Sequence, residues 1–168
     1  GAVFGELAAD GSRFFGRAGL RVERDGLLEN TNAAPRLKAG VYLDNSQNMR
    51  LIAGANRYYG KSFLSYKLRA EERRLVEVRE RDNPNDPFTA VADRSDYDYR
   101  DLDTPYDDEY SIGIAGTLLH GDIGLTYVRR QGKDQIRTNY DDSGDLYNYD
   151  NSGRSNTDQV DLYWRSQP

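Results

Sequence analysis

Residues Ser111 to Asp134 read SIGIAGTLLHGDIGLTYVRRQGKD. Apolar residues fall at every second position, a Gly-containing turn interrupts them, and the alternation then resumes. That is the pattern of two antiparallel strands joined tightly. Tyr110, Ile112, Ile114, Gly116 and Leu118 share one face of the first arm. Ile123, Leu125 and Tyr127 share the matching face of the second, with Leu119-His120-Gly121-Asp122 as the turn. What that face touches decides the fold. A soluble sheet would pack it on a second protein layer. A membrane barrel would turn it to hydrocarbon and keep the opposite face wet.

The same two-sidedness recurs along the chain. From Ser12 to Asp25, Phe14, Gly16, Ala18, Leu20 and Val22 oppose Arg17, Gly19, Arg21 and Glu23. From Pro35 to Leu43, Leu37, Ala39, Val41 and Leu43 oppose Arg36, Lys38, Gly40 and Tyr42. From Met49, Leu51, Ala53 and Ala55 oppose Arg50, Ile52, Gly54 and Asn56; near the end, Val160, Leu162 and Trp164 oppose Asp161, Tyr163 and Arg165. Strands are expected near 13–24, 35–43, 49–59, 109–119, 123–136 and 157–165. AVFGELA, before a short AADGS turn, reads as the end of a further, partial strand.

The connections alternate. AADGS, DNSQN and LLHGD are short; 25–34, 60–108 and 138–156 are expected to be long loops. Within 60–108, LRAEERRLVEVRERD suits either a short helix or further paired strand, with LVEVRE read as strand. Tight turns on one side and long loops on the other are the asymmetry of outer-membrane barrels. Strands of about 9–11 residues suit a tilted crossing, whereas soluble strands average about 5–6. Six long strands also need something to cover their apolar side, and no convincing amphipathic helix supplies a second layer. The expected class is all-β, an antiparallel transmembrane β-barrel segment.

Composition narrows function further. The chain has 168 residues, 37% of them apolar and 30% charged, with 13 tyrosines. Mean hydropathy is -0.88. Tyrosine at this level favours sheets and interfaces. The net charge of -5 disfavours a nucleic-acid partner, which would need a basic surface. Cysteine is absent, so disulfides, thiolate metal sites and Cys nucleophiles are excluded. No run of about 18 apolar residues marks a membrane-spanning helix, and barrel strands would not produce one. No signal peptide is read at Gly1-Ala2-Val3-Phe4, and the abrupt ends suggest a piece of something longer.

Five stretches carry a resemblance: AAPRLKAGVYL, RLIAGANRYYGKSFLSYKLR, DLDTPYDDEYSIGIAGTLL, IGLTYVRRQGKDQI and NSGRSNTDQVDLYW. Together they resemble part of the barrel of a TonB-dependent outer-membrane receptor, over residues 12 to 165. The resemblance implies a receptor in the bacterial outer membrane that binds a scarce extracellular solute. It would import that solute through a plugged barrel, energised by the TonB–ExbB–ExbD complex. Plug, TonB box and C-terminal aromatic strand end are not matched, so an internal barrel segment is expected. Its partners would be outer-membrane lipid, the remaining barrel and plug, and the solute. The alternatives are another outer-membrane barrel (a porin-like channel or adhesin) and a soluble all-β binding module.

Chemistry is expected to be binding and transport, not catalysis. His120, the single histidine, reads as a turn residue, and no GxSxG, HExxH or Walker pattern appears. No cofactor or resident metal is expected. Asp141, Asp142, Asp145 and Asp150 are dense in oxygen ligands, but DDSGD lacks the EF-hand spacing. Loop tyrosines Tyr97, Tyr99, Tyr106, Tyr140, Tyr147 and Tyr149 are candidates for solute contact, since aromatics beside polar groups make good contact residues. Arg17, Arg21, Arg36, Lys38, Arg50 and Arg165 are candidates for a lumen-facing strip that meets the plug or guides an anionic solute. Cross-strand pairing with neighbours such as Glu23 and Asp161 is the simpler use of those cations. Tyr58, Tyr59, Tyr127 and Trp164 suit interfacial girdles, and Gly113, Gly116 and Gly124 suit close packing within strands.

Overall fold

The structure, a computed structural model, describes residues 1–60, 63–75, 79–90, 101–118, 120–141 and 146–166. Seven long strands form one antiparallel sheet: β1 Ala2–Asp10, β2 Phe14–Arg24, β3 Thr31–Tyr42, β4 Met49–Tyr59, β7 Tyr106–Leu118, β8 Gly121–Asp141 and β9 Leu146–Ser166. Their spatial order follows the chain. A helix, α1 (Leu64–Leu75), and a small hairpin of β5 (Arg79–Glu80) and β6 (Thr89–Ala90) lie between β4 and β7.

The register preserves the two faces across the whole sheet. Directly opposed residues share a side, which generates apolar rows such as Ala9–Gly16–Ala39–Ala53–Ile112–Tyr127–Val160. The next row is Phe14–Val41–Leu51–Ile114–Leu125–Leu162. No second layer covers them among the described residues: Leu37 is 51% exposed, Leu125 45% and Leu162 72%. A soluble sheet of this size would have to bury such rows against a second layer.

Several boundaries move from expectation. β1 is a full partner of β2, not a strand end. The long loop expected at 25–34 contracts to the residues between Arg24 and Thr31, because the Asp25 carboxylate accepts the amides of Leu27 and Leu28 and turns the chain early. Loop 138–156 is mostly paired strand: Thr138↔Tyr149 and Asn139↔Asn148 continue the β8–β9 ladder past bulges near Gln135. In 60–108, Leu75 belongs to α1, Arg79–Glu80 pair with Thr89–Ala90 in the small hairpin, and β7 already begins at Tyr106; 76–78 lie outside the described residues. The tight turns hold. His120 takes a positive φ of 57° between β7 and β8, and Asp44 Oδ1 accepts the Met49 amide between β3 and β4.

Candidate functional site

The polar face carries a continuous row. Glu6, Gly19, Arg36, Asn56, Glu109, Arg130 and Thr157 stand opposite one another in succession from β1 to β9. Glu109 is its hub. It accepts from Arg130 at 2.5 Å, from Tyr58 Oη at 3.4 Å and from Asn56 Nδ2 at 3.5 Å. Arg36 lies over the Tyr58 ring, 5.6 Å from its centre.

Of the expected lumen-facing cations, all six fall on this polar face by register: Arg17, Arg21, Arg36, Lys38, Arg50 and Arg165. They do not form one cluster. Arg21 pairs with Glu23 at 2.6 Å, and Arg17 reaches Glu6 at 3.9 Å. Arg17 stands directly opposite Lys38, a like-charge pair that Glu6 partly compensates. Arg50 and Arg165 sit at the tight-turn end. Sequence reading missed Glu109 and Arg130, although the alternation from Tyr110 already placed both on the polar side. Tyr58, expected in an interfacial girdle, is also on the polar face, because it pairs with Asp107 one position out of step with the apolar rows.

At the other end, three connections are tied into one cap. Leu28, Phe63, Leu102 and Tyr149 form a buried apolar cluster, with Leu27, Tyr66 and Ile136 packed on it. Tyr66 meets Tyr149 edge-on with ring centres 5.0 Å apart. Polar ties reinforce it. Asn30 and Asn32 both donate to Thr104 Oγ1 at 3.2 Å, and Asn30 also donates to the Leu102 carbonyl. Asn151 accepts the Asp103 amide and donates to the Asp103 and Asp134 carbonyls.

These placements sort the candidate tyrosines. Tyr149, a candidate for solute contact, is 8% exposed and lies in the cap's buried cluster with Leu28, Phe63 and Leu102. Tyr106 packs beside Tyr59, with Arg57 4.1 Å over its ring, on the apolar side of the sheet. Tyr140 and Tyr147 oppose one another near the end of the β8–β9 hairpin. Tyr97 and Tyr99 lie outside the described residues, as do Asp142 and Asp145. The Asp150 carboxylate is held below its usual range by the Ser152 backbone amide and hydroxyl, and also accepts from Asn139. Among the described residues, no group of three His, Cys, Asp or Glu side chains is placed to hold a metal.

No protein-family model matches the chain. A protein of Escherichia coli described as uncharacterized, YddB, is 29% identical over 149 residues, covering 86% of this chain and 18% of that protein. The crystal structure of the outer membrane transporter YddB from Escherichia coli superposes with a TM-score of 0.73 and 24% identity over 97% of this chain and 21% of its own. The ferric enterobactin receptor PfeA follows at 0.67 and 19% identity, over 96% of this chain and 24% of its own. The siderophore receptor PirA from Pseudomonas aeruginosa gives 0.65 and 18%, over 96% and 30%. The chain thus spans less than a third of each of these proteins. It shares the fold of a barrel segment of the outer membrane transporter YddB, as a sheet open at both edges.

Proposed function

From the premise that this chain has the fold of a section of a TonB-dependent receptor barrel, we propose that the complete protein binds a scarce extracellular solute and imports it with TonB-coupled energy. The observation that carries this reading is the two-faced sheet: seven crossing strands with uncovered apolar rows on one side and a connected polar row on the other. The apolar side meets acyl chains, and the polar side lines a wet interior where Glu109 and its donors remain hydrated. The tied connections form part of the extracellular mouth, with Tyr140, Tyr147, Tyr97 and Tyr99 as the remaining solute-contact candidates. Arg17, Arg36 and Lys38 face the plug.

The solute class to try first is a ferric chelate, because two proteins sharing this fold are a ferric enterobactin receptor and a siderophore receptor. The test is uptake of radiolabelled ferric chelates by cells carrying the full-length reading frame, with and without a functional TonB. Accumulation that requires both the receptor and TonB supports the proposal. Binding or passage indifferent to TonB would replace it with a porin-like channel or an adhesin.

A further inference from the structure

Burial at the start of β3 is one-sided. Asn32 and Ala34 are 5% and 6% exposed, whereas the alternate residues Thr31, Ala33 and Pro35 are exposed. Asn32 stands opposite Glu23 and Ala34 opposite Arg21, so the covered side is the polar one. On β2 likewise, Arg21 and Glu23 are half-buried while Val22 and Arg24 are exposed. The cover is the cap. Asn32 reaches Thr104 from the covered side, and Leu102, two residues before Thr104, belongs to the buried cluster. The cap therefore leans over the polar face instead of standing upright above the strand ends.

The β8–β9 hairpin is bent and pinned into the same cover. Its pairing is irregular between Gly132 and Arg137, and Asp134 takes a positive φ of 52° there. Bulges of this kind bend the strand and increase its twist. A Cβ at Gly153 would come within 2.5 Å of the Gln135 carbonyl oxygen, so the two backbones are closely packed at the bend. Asn151 holds the bend to the cap. It accepts the Asp103 amide and donates to the Asp103 carbonyl, as a paired strand residue would, and donates also to the Asp134 carbonyl. Tyr149, two residues away on β9, is buried with Leu28, Phe63 and Leu102. Exposed connections with few apolar contacts open at little cost, whereas connections that share one buried cluster open together. Withdrawing Tyr149 is the step that would free them.

We propose that the cap is a fixed sill projecting over the polar interior, held inward by Tyr149, which narrows the extracellular mouth on this side. Solute then enters along the rest of the rim. Tyr149 is a positioning residue in this arrangement, acting through the connections it holds together. The inference rests on the reading that the polar face lines a wet interior and that the loop end faces outward.

The experiment uses the full-length receptor in intact cells, with Ala34→Cys and Gly26→Cys labelled separately by a membrane-impermeant maleimide. Gly26 lies in the turn between β2 and β3 with open space around it. Ala34→Cys, beneath the sill, is expected to label roughly tenfold more slowly than Gly26→Cys. Adding Tyr149→Ala should bring Ala34→Cys close to the Gly26→Cys rate, and Tyr149→Phe, which keeps the ring, should not. Equal rates at the two positions with Tyr149 in place overturn the proposal, because the cap would then stand open. Slow labelling that Tyr149→Ala leaves unchanged also overturns it. Where Ala34→Cys gives no heat-modifiable folded band, exchange of the Asp103 amide in the unsubstituted receptor decides: protection supports the sill, and exchange at the unfolded rate overturns it. Labelling of Gly26→Cys only after the cells are broken would instead overturn the outward orientation of the loop end, and with it the reading beneath this inference.

Discussion

Glu109 and Arg130, 21 residues apart in the chain, face each other directly across β7 and β8 with guanidinium on carboxylate. Glu109 also receives Asn56 and Tyr58 from β4, so one carboxylate links three neighbouring strands.

Replacing Glu109 by Ala leaves Arg130, Asn56 and Tyr58 without that shared acceptor. Because Arg130 is half exposed, the expected loss is about 0.5–1 kcal/mol. Glu109→Gln should lose less, since an amide oxygen still accepts from Asn56 and Tyr58. Urea midpoints of the refolded complete barrel in detergent would separate the two variants, and equal midpoints for Ala and Gln would remove Glu109 as a hub.

Gly40 lies beneath the Phe15 ring of β2, and a Cβ there would also come within 2.8 Å of the Leu51 carbonyl oxygen. Gly40→Val should displace Phe15 and its tilted contact with Tyr42, at about 1–3 kcal/mol. Adding Phe15→Ala should restore part of that loss. A double variant no better than the single one would show that the backbone clash alone governs the site. Gly124 sits under Tyr163 in the same way, which supports reading it as a close-packing glycine.

Leu125 and Thr126 are neighbours on opposite faces. Arginine at Leu125 would enter hydrocarbon and should cost about 2–4 kcal/mol in a lipid-embedded barrel, whereas arginine at Thr126, beside Asp161 across the ladder, should cost far less. Unfolding measured in bilayers would check the contrast. A reversed order would mean that the two faces have been assigned the wrong way round.

Asp150 supplies the pH dependence of the β8–β9 hairpin beyond the bulges. Its folded pKa is depressed, first by the Ser152 amide and hydroxyl. Its contribution is therefore fully present above the unfolded value of 3.8 and is lost as pH falls through the folded value. Amide exchange at Ser152 should stay slow at pH 4 and accelerate below it, and Asp150→Asn should remove that dependence. Exchange insensitive to both acid and substitution would show that the ladder alone protects Ser152.

Period-two alternation was enough to assign faces, because side chains on a strand must alternate whatever the strand pairs with. Leu37, Leu51, Leu125 and Leu162 were thus placed together, and the six cations with them on the opposite side, before any pairing was known. Strand extent was less legible. Thr31–Ala34 and Leu146–Asn156 read as loop because Asn, Asp and Ser favour turns locally. They are strands because β2 and β8 offer unfilled ladder positions, with Val22 opposite Ala33 and Thr138 opposite Tyr149.

What the chain's local chemistry determined alone was the alternation itself, the tight turns and the absence of material for a second layer. Tertiary pairing decided the rest: that Glu109 meets Arg130 and Asn56, that Asp108 gathers Arg57 and Lys133, and that Tyr149 joins Phe63 and Leu28 in one buried cluster. Those partners lie far apart in the chain. No local preference encodes their distance, so only the assembled sheet could bring them together.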